Sequence, residues 1–316
     1  MIPTDIQRVG VIGAGTMGYG LAIVHANAGF DVSLYDVDPD ALEQATENIE
    51  TGLDILVEEE YLTEEDRTAA LDRIAPTTDF GEAVADADFV VEVVPERIDV
   101  KETVFSKLDE QAPSDAILAT NTSGLSITDL ASRVDDPERV VGTHWFNPPY
   151  VVPLVELVKA EQTDDDLVEA LYDHYEAMGK VPVIVNEDIP GFIANRIQLA
   201  MDYEAWSLLS RGVASAEDID RAVKAGFGFR IPALGVFEKA DLGGLDVFHD
   251  IEEYLMSDLD RGTEPNERLS DLVEEGRLGV KSGAGVYDYT DRSQADVVED
   301  RDRRLVSVLK LFQELG

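Results

Sequence analysis

His144 closes an apolar run, Val140-Val141-Gly142-Thr143-His144, and Glu156 is embedded in another, Pro153-Leu154-Val155-Glu156-Leu157-Val158. Imidazole is the side chain best suited to taking and returning a proton near neutral pH. A carboxylate inside an apolar strand needs a partner to offset its desolvation, and an imidazole N–H would serve. Such a pair fixes the histidine's tautomer and stabilises its protonated form, as a general base requires. The competing reading is an edge strand that turns Glu156 to solvent; pattern alone leaves both open. The other histidines have blander contexts. His25 in the first helix and His174 in an acidic helix suit packing or solvated roles, and His249 lies in a late helix.

A second constellation stands near the N-terminus. Gly13-Ala14-Gly15-Thr16-Met17-Gly18 is G-x-G-x-x-G between a strand and a helix. Gly13 permits a tight turn, Gly15 lets the backbone approach a pyrophosphate, and Gly18 permits close helix–strand packing. The phosphate would then sit on the N–H groups of a helix start. Asp36 follows Gly13 by 23 residues, at the end of the next strand. There its carboxylate can accept from ribose hydroxyls and repel a 2′-phosphate, which favours NAD over NADP.

These residues need a scaffold that gathers strand ends. Apolar strands are expected at 8–13, 31–36, 87–94, 116–120, 140–144, 153–158 and 180–185, with amphipathic helices between the early ones. That alternation predicts an α/β fold: a Rossmann-type, doubly wound, mostly parallel sheet, with ligands at the strands' C-terminal ends. Beyond Asn186 the period becomes helical, through Phe192, Ile193, Ile197, Leu199, Trp206 and Leu209. The expected division is a nucleotide-binding domain over 1–187 and an all-helical domain over 188–316. The tail from Asp291 reads as a charged helix outside the core fold.

Composition narrows the function classes. The 316 residues carry 25 Lys and Arg against 66 Asp and Glu, a net charge of −41, yet 44% are hydrophobic. The apolar share separates the chain from acidic disordered proteins. So negative a field argues against nucleic acid and anionic membrane partners. Only 8 of the 25 bases are Lys, and dispersed carboxylates of this kind suit a salt-accumulating halophile. With no Cys, disulfides and thiolate chemistry are excluded. Met1-Ile2-Pro3-Thr4-Asp5 lacks the pattern of a signal peptide, and no run of about 18 apolar residues could span a bilayer. A cytoplasmic protein is expected. No metal site is expected either, since Asp164-Asp165-Asp166 suits a helix N-terminus.

With these residues in place the chain resembles the 3-hydroxyacyl-CoA dehydrogenase family over nearly its full length. The resemblance rests on the glycine motif, Asn121-Thr122-Ser123, and His144-Trp145-Phe146-Asn147-Pro148. It also rests on Pro153–Glu156, Pro190-Gly191-Phe192-Ile193-Ala194-Asn195-Arg196, and Lys281-Ser282-Gly283-Ala284-Gly285-Val286-Tyr287-Asp288-Tyr289. It implies NAD-dependent oxidation of (S)-3-hydroxyacyl-CoA to 3-oxoacyl-CoA in fatty-acid metabolism. It makes His144 the base, Glu156 its orienting acid, and Ser123 and Asn195 the groups that hold the reacting oxygens. Cofactor contacts are implied for Glu96, Lys101, Ser123, Asn147 and Lys281. Taken singly, Ser123 could be a turn residue, Asn195 a first-turn helix residue and Lys101 a solvated helix cation.

One stretch departs from the family pattern. Acyl-CoA members carry basic and hydroxyl residues after the second strand, whereas Asn48–Glu60 here contains no Lys or Arg. Asn147-Pro148-Pro149-Tyr150, Asn195–Gln198 and Gly226–Arg230 are also similar to the L-gulonate and carnitine dehydrogenases of the lambda-crystallin branch. That branch implies a free 3-hydroxy acid as substrate, with Arg230 able to pair its carboxylate or to form a structural salt bridge. A non-enzymatic, crystallin-like NAD-binding protein is the third reading, opposed by the presence of Ser123, His144, Glu156 and Asn195 together. The family further implies a homodimer through the helical domain.

Overall fold

The computed structural model describes residues 6–315, so the N-terminal pentapeptide read above lies outside the described residues. The first compact unit runs to Asn195 and includes Asp302–Leu309. Its eight strands are β1 (Arg8–Ile12), β2 (Asp31–Tyr35), β3 (Ile74–Thr77), β4 (Phe89–Glu92), β5 (Ile117–Thr120), β6 (Val140–Trp145), β7 (Leu154–Lys159) and β8 (Val181–Val185). They form one sheet in the order β3-β2-β1-β4-β5-β6-β7-β8. Every neighbouring pair is parallel except β6 and β7. The order reverses between β1 and β4, which opens the crevice where such sheets bind ligands.

The helices of this unit are α1 (Gly18–Asn27), α2 (Pro39–Glu58), α3 (Glu64–Arg73), α4 (Phe80–Val84), α5 (Ile98–Gln111), α6 (Ile127–Ala131) and α7 (Asp165–Ala177). Successive strand residues point to opposite faces, so Val11 joins one core layer and Ile12 the other. One layer collects Leu21 and Ile23 of α1, Ile49 and Leu53 of α2, and Leu171 and Tyr175 of α7. The other collects Phe105 and Leu108 of α5 with Ile127 and Leu130 of α6. Asp38, Thr63, Ser126 and Asp164 each cap a helix start, and Asp164 does so through the N–H of Asp166.

The structure changes two sequence readings. β3 was not anticipated, because Ile74-Ala75-Pro76-Thr77 is short, mostly exposed and carries a proline; an edge strand tolerates all three. The first compact unit runs to Asn195, and the backbone at Ile193 and Ala194 is tied to β7. The tail is not outside the core fold: Asp302, Val306 and Leu309 are buried in the first unit, two of them within its apolar core.

The second unit holds Arg196–Arg301 and Lys310–Gly316. Its helices are the remainder of α8 (Ala194–Ser210), then α9 (Ala216–Ala225), α10 (Phe227–Arg230), α11 (Val236–Gly243), α12 (Leu245–Leu255) and α13 (Glu267–Glu274). α14 (Gln294–Leu315) ends the chain and contributes Asp302–Leu309 to the first unit. The Lys281–Tyr289 loop is fastened to α9 by Tyr287, whose hydroxyl donates to Asp220 (3.0 Å). Phe229, Phe237, Leu242 and Tyr254 are each at least 70% exposed within the chain.

Candidate active site

The antiparallel pairing of β6 and β7 creates the chemistry. His144 lies directly opposite Glu156 in the register. Opposed residues of an antiparallel pair project to the same face, close enough to interact. His144 Nδ1 is 2.7 Å from Glu156 Oε2, and both side chains are buried. Glu156 is thus a buried partner and not a solvent-facing edge residue.

The other carboxylate oxygen has a separate task. Glu156 Oε1 accepts from the N–H groups of Ile193 (3.0 Å) and Ala194 (2.9 Å), at the start of α8. Burial pushes the Glu156 carboxyl up. The His144 hydrogen bond and these two N–H donors outweigh that effect and hold it below its ordinary value. Glu156 is therefore anionic and accepts only, so His144 carries its proton on Nδ1 and leaves Nε2 as the basic nitrogen. Asn195 Nδ2 stands 3.5 Å from Nε2, on the side where a hydroxyl would arrive.

Backbone geometry delivers these groups. Gly191 (φ 78°) and Phe192 (φ 49°) both occupy the left-handed region just before α8. For a phenylalanine that conformation is costly, and such strain marks sites where position matters. Buried Phe192 sets its ring 5.3 Å from the His144 ring, and Phe146 approaches it at 4.8 Å. The imidazole is held between two aromatic edges. The sequence motif 190–196 contains Phe192, but no pattern in it signals the ring contact.

At the other strand ends a buried ionic network fixes Ser123. Glu92, the last residue of β4, is fully buried. Its carboxylate accepts from Lys101 Nζ (2.7 and 3.0 Å), Thr120 Oγ1 (2.7 Å) and the Val94 N–H (2.7 Å). Burial pushes Glu92 up, against the opposing pull of Lys101, Thr120 and Val94. Lys101 also lies 3.4 Å from Glu96 Oε2. Glu96 Oε1 accepts from Thr122 Oγ1 (2.6 Å) and from the N–H of Ser123 (2.8 Å). Burial raises Glu96, but these donors and Lys101 bring it below its ordinary value. Lys101 is buried, so it is not the solvated helix cation that was one of its readings. Glu92 escaped the sequence reading although it sits in Phe89-Val90-Val91-Glu92-Val93-Val94, the same acid-in-apolar-strand signal that exposed Glu156.

The glycine turn fits a dinucleotide. Gly13 has φ 116°, and a Cβ there would meet Val93 O at 2.9 Å. A Cβ on Gly18 would stand 1.8 Å from Gly13 O, whereas one on Gly15 would meet nothing within 4 Å. Gly13 and Gly18 thus close the turn, and open space lies above Gly15 for a pyrophosphate. Thr16 is exposed and Met17 half-buried beside it at the start of α1. Asp36 Oδ2 accepts from the Ala14 N–H (2.9 Å) and Oδ1 from the Asp38 N–H (3.1 Å), which fixes an acid at the mouth of the turn.

Remaining residues divide by unit. Asn147 is exposed just after β6, and Asn121 Oδ1 ties the end of β5 to β6 by accepting from the Trp145 N–H (2.9 Å). Lys281 is exposed in the second unit, in the single turn Val280–Ser282, and Arg230 ends α10 there. His249, Asp250 and Glu253 form an exposed cluster on α12, of a kind common without a metal. Among the described residues no helix is long and apolar enough to cross a membrane.

The chain is similar to known proteins over most of its length. Residues 8–189 match the 3-hydroxyacyl-CoA dehydrogenase NAD binding domain, and 191–289 match the C-terminal domain of the same family. The chain is 35% identical to 5-formyl-3-hydroxy-2-methylpyridine 4-carboxylate 5-dehydrogenase of Mesorhizobium japonicum, over 98% of this chain and 99% of that one. A crystal structure of an enzyme of that activity, described as an NAD+ dependent dismutase, superposes with a TM-score of 0.91 at 34% identity, covering 98% and 99% of the two chains. Identity to the 3-hydroxybutyryl-CoA dehydrogenase of Bradyrhizobium diazoefficiens is 42%, over 90% of this chain and 96% of that one. L-carnitine dehydrogenase of Streptomyces coelicolor is 34% identical, over 99% and 97%. With two family domains in order over a Rossmann sheet, the chain belongs to the 3-hydroxyacyl-CoA dehydrogenase family and is an NAD-dependent oxidoreductase.

Proposed function

We propose that the protein oxidises the 3-hydroxyl of a 3-hydroxyacyl-CoA to the 3-oxo thioester. The observation that carries this reading is the buried His144–Glu156 pair, with Nε2 left basic and Asn195 beside it. NAD supplies the hydride acceptor. His144 Nε2 takes the hydroxyl proton as the C3–H bond breaks, and Glu156 compensates the imidazolium that forms. Ser123 and Asn195 hold the reacting oxygen, so that C3–H is aligned before reaction. Glu96, Lys101 and Asn147 support the cofactor side. The higher identity to the 3-hydroxybutyryl-CoA enzyme favours the thioester.

A second reading, a free 3-hydroxy acid, has its own support. Asn48–Glu60 offers no cation to CoA phosphates, and at its end Arg303 is already engaged by Glu58 (2.5 Å) and Glu59 (3.4 Å). Two relatives matched over nearly the whole chain, C-terminal helix included, are named for a pyridine carboxylate and for carnitine, although a 3-hydroxyacyl-CoA dehydrogenase of Archaeoglobus fulgidus also covers 98% of it. Steady-state NAD reduction with 3-hydroxybutyryl-CoA, L-gulonate and L-carnitine in molar salt decides between them. Turnover of the thioester orders of magnitude above both acids supports the first reading, and the reverse ranking replaces it with the second. The exposed apolar residues of the helical unit suit a homodimer: Phe237→Asp should then shift the mass measured by light scattering to that of a monomer.

A further inference from the structure

The C-terminal helix has no part in the chemistry above, yet it reaches the loop that follows His144. Asp302 of α14 is buried, and its Oδ2 accepts from the Tyr150 hydroxyl at 2.6 Å. Tyr150 is itself buried, next to helices shaped to receive it. A Cβ on Gly52 of α2 would lie 3.3 Å from Tyr150 Cζ. On Gly20 of α1 it would lie 2.6 Å from Pro149 Cγ. Any larger residue at Gly20 would push Pro149 away from the helix whose first turn faces the pyrophosphate. Lys180, from the start of β8, donates to Pro149 O (2.7 Å) and Val152 O (3.3 Å) and lies over the Trp145 ring. Residues 149–152 are thus held by side chains from α14 and β8 and keyed into α1.

We infer that Asp302 is a positioning residue: through Tyr150 it sets the loop 147–152, and with it Asn147 and the end of β6, against the nucleotide-binding helix. A charge-assisted bond of 2.6 Å between two buried groups is short and directional, so it fixes the ring in rotation as well as depth. Val306 and Leu309, one and two turns further along α14, are buried in the same core layer and hold Asp302 in register. The last helix thereby belongs to the cofactor site through structure alone, with no atom of its own in contact with the reaction. This inference rests on the proposed roles of His144 and Asn147.

The test compares Tyr150→Phe, Asp302→Ala and Asp302→Asn in the full-length protein at saturating and limiting NAD. Tyr150→Phe and Asp302→Ala should each raise KM and Kd for NAD by about tenfold, the scale of losing a buried bond to a charged group, with kcat at saturating NAD little changed. Asp302→Asn, which can still accept from the hydroxyl, should restore most of the affinity. Combining Tyr150→Phe with Asp302→Ala should add little to either alone, because both remove the same bond. Equal loss of thermal stability with wild-type NAD affinity in the single variants would overturn the inference and leave the bond purely structural. Failure of the functional reading would show separately, as turnover retained by His144→Ala.

Discussion

His144 and Glu156 face each other across the antiparallel pair in the sheet, and the carboxylate that orients the imidazole also caps α8 through Ile193 and Ala194. One side chain therefore sets both the base and the helix that presents Asn195. Replacing Glu156 with Gln keeps the shape but removes the charge that stabilises the imidazolium and the strongest acceptor at the helix start. His144→Ala should lower kcat by roughly 10²–10⁴-fold, the usual contribution of general base catalysis, with NAD binding retained by titration. Glu156→Gln should lower kcat and move the acid limb of the pH–rate profile, a movement absent from His144→Ala. Unchanged turnover in His144→Ala would remove the assigned base.

The Glu92–Lys101 pair makes a different demand. Both ions are buried, and each offsets most of the other's desolvation. Glu92→Gln leaves the buried ammonium with Glu96, 3.4 Å away, as its remaining anion and should cost about 1–3 kcal/mol in denaturant unfolding. Glu92→Gln combined with Lys101→Met should recover most of that loss. The double variant should still bind NAD more weakly than wild type, because Glu96 loses the ammonium 3.4 Å away that helps hold it at the Ser123 N–H. Full recovery of both stability and affinity would show that the pair serves only the core.

Seven of the eight strands were legible as apolar runs bounded by turns, most plainly the central ones buried on both faces, as in Val90-Val91 and Ile117-Leu118-Ala119. Ile74–Thr77 was not, since an edge strand needs little apolar content to pair. His144 and Glu156 were legible as types out of place, but their register depends on β7 running against its neighbour, which no local pattern encodes. The burial of Lys101 was hidden because its partner Glu92 lies on another element. The tail's charge pattern concealed an apolar seam: Val306 and Leu309 are three apart, while Arg303 and Arg304 dominate the composition around them.

We propose that Asp36 carries the cofactor preference. Its two bonds to backbone N–H groups hold the carboxylate in one place, so its charge faces any group on the ribose. A 2′-phosphate there would meet an anion in a chain already at −41. Asp36→Asn keeps an acceptor for the Ala14 N–H and removes the repulsion. The ratio of kcat/KM for NAD over NADP should fall by about tenfold or more, chiefly through better use of NADP. An unchanged ratio would mean that another group excludes the phosphate.

Buried His25 weakens the fold as the pH falls. It lies on α1, fully buried against Phe89, Trp145 and Tyr175, and among the described residues neither ring nitrogen has a hydrogen-bond partner. Burial, with His174 and Lys180 nearby, lowers its pKa from 6.5 to about 3. The folded state therefore keeps His25 neutral where the unfolded chain protonates it. Between those two values each fall of one pH unit favours unfolding by about 1.4 kcal/mol, and above the unfolded value the contribution vanishes. Burial also lowers His174, in the same direction, so the comparison must isolate one residue. His25→Leu removes the titrating group and two unsatisfied nitrogens while remaining apolar. Denaturant unfolding of wild type and variant at pH 7.5 and about pH 5.5 should show the stability gap widening in the variant's favour by about 1 kcal/mol at the lower pH. A gap independent of pH would mean that His25 takes up its proton over the same pH range in the fold as in the unfolded chain.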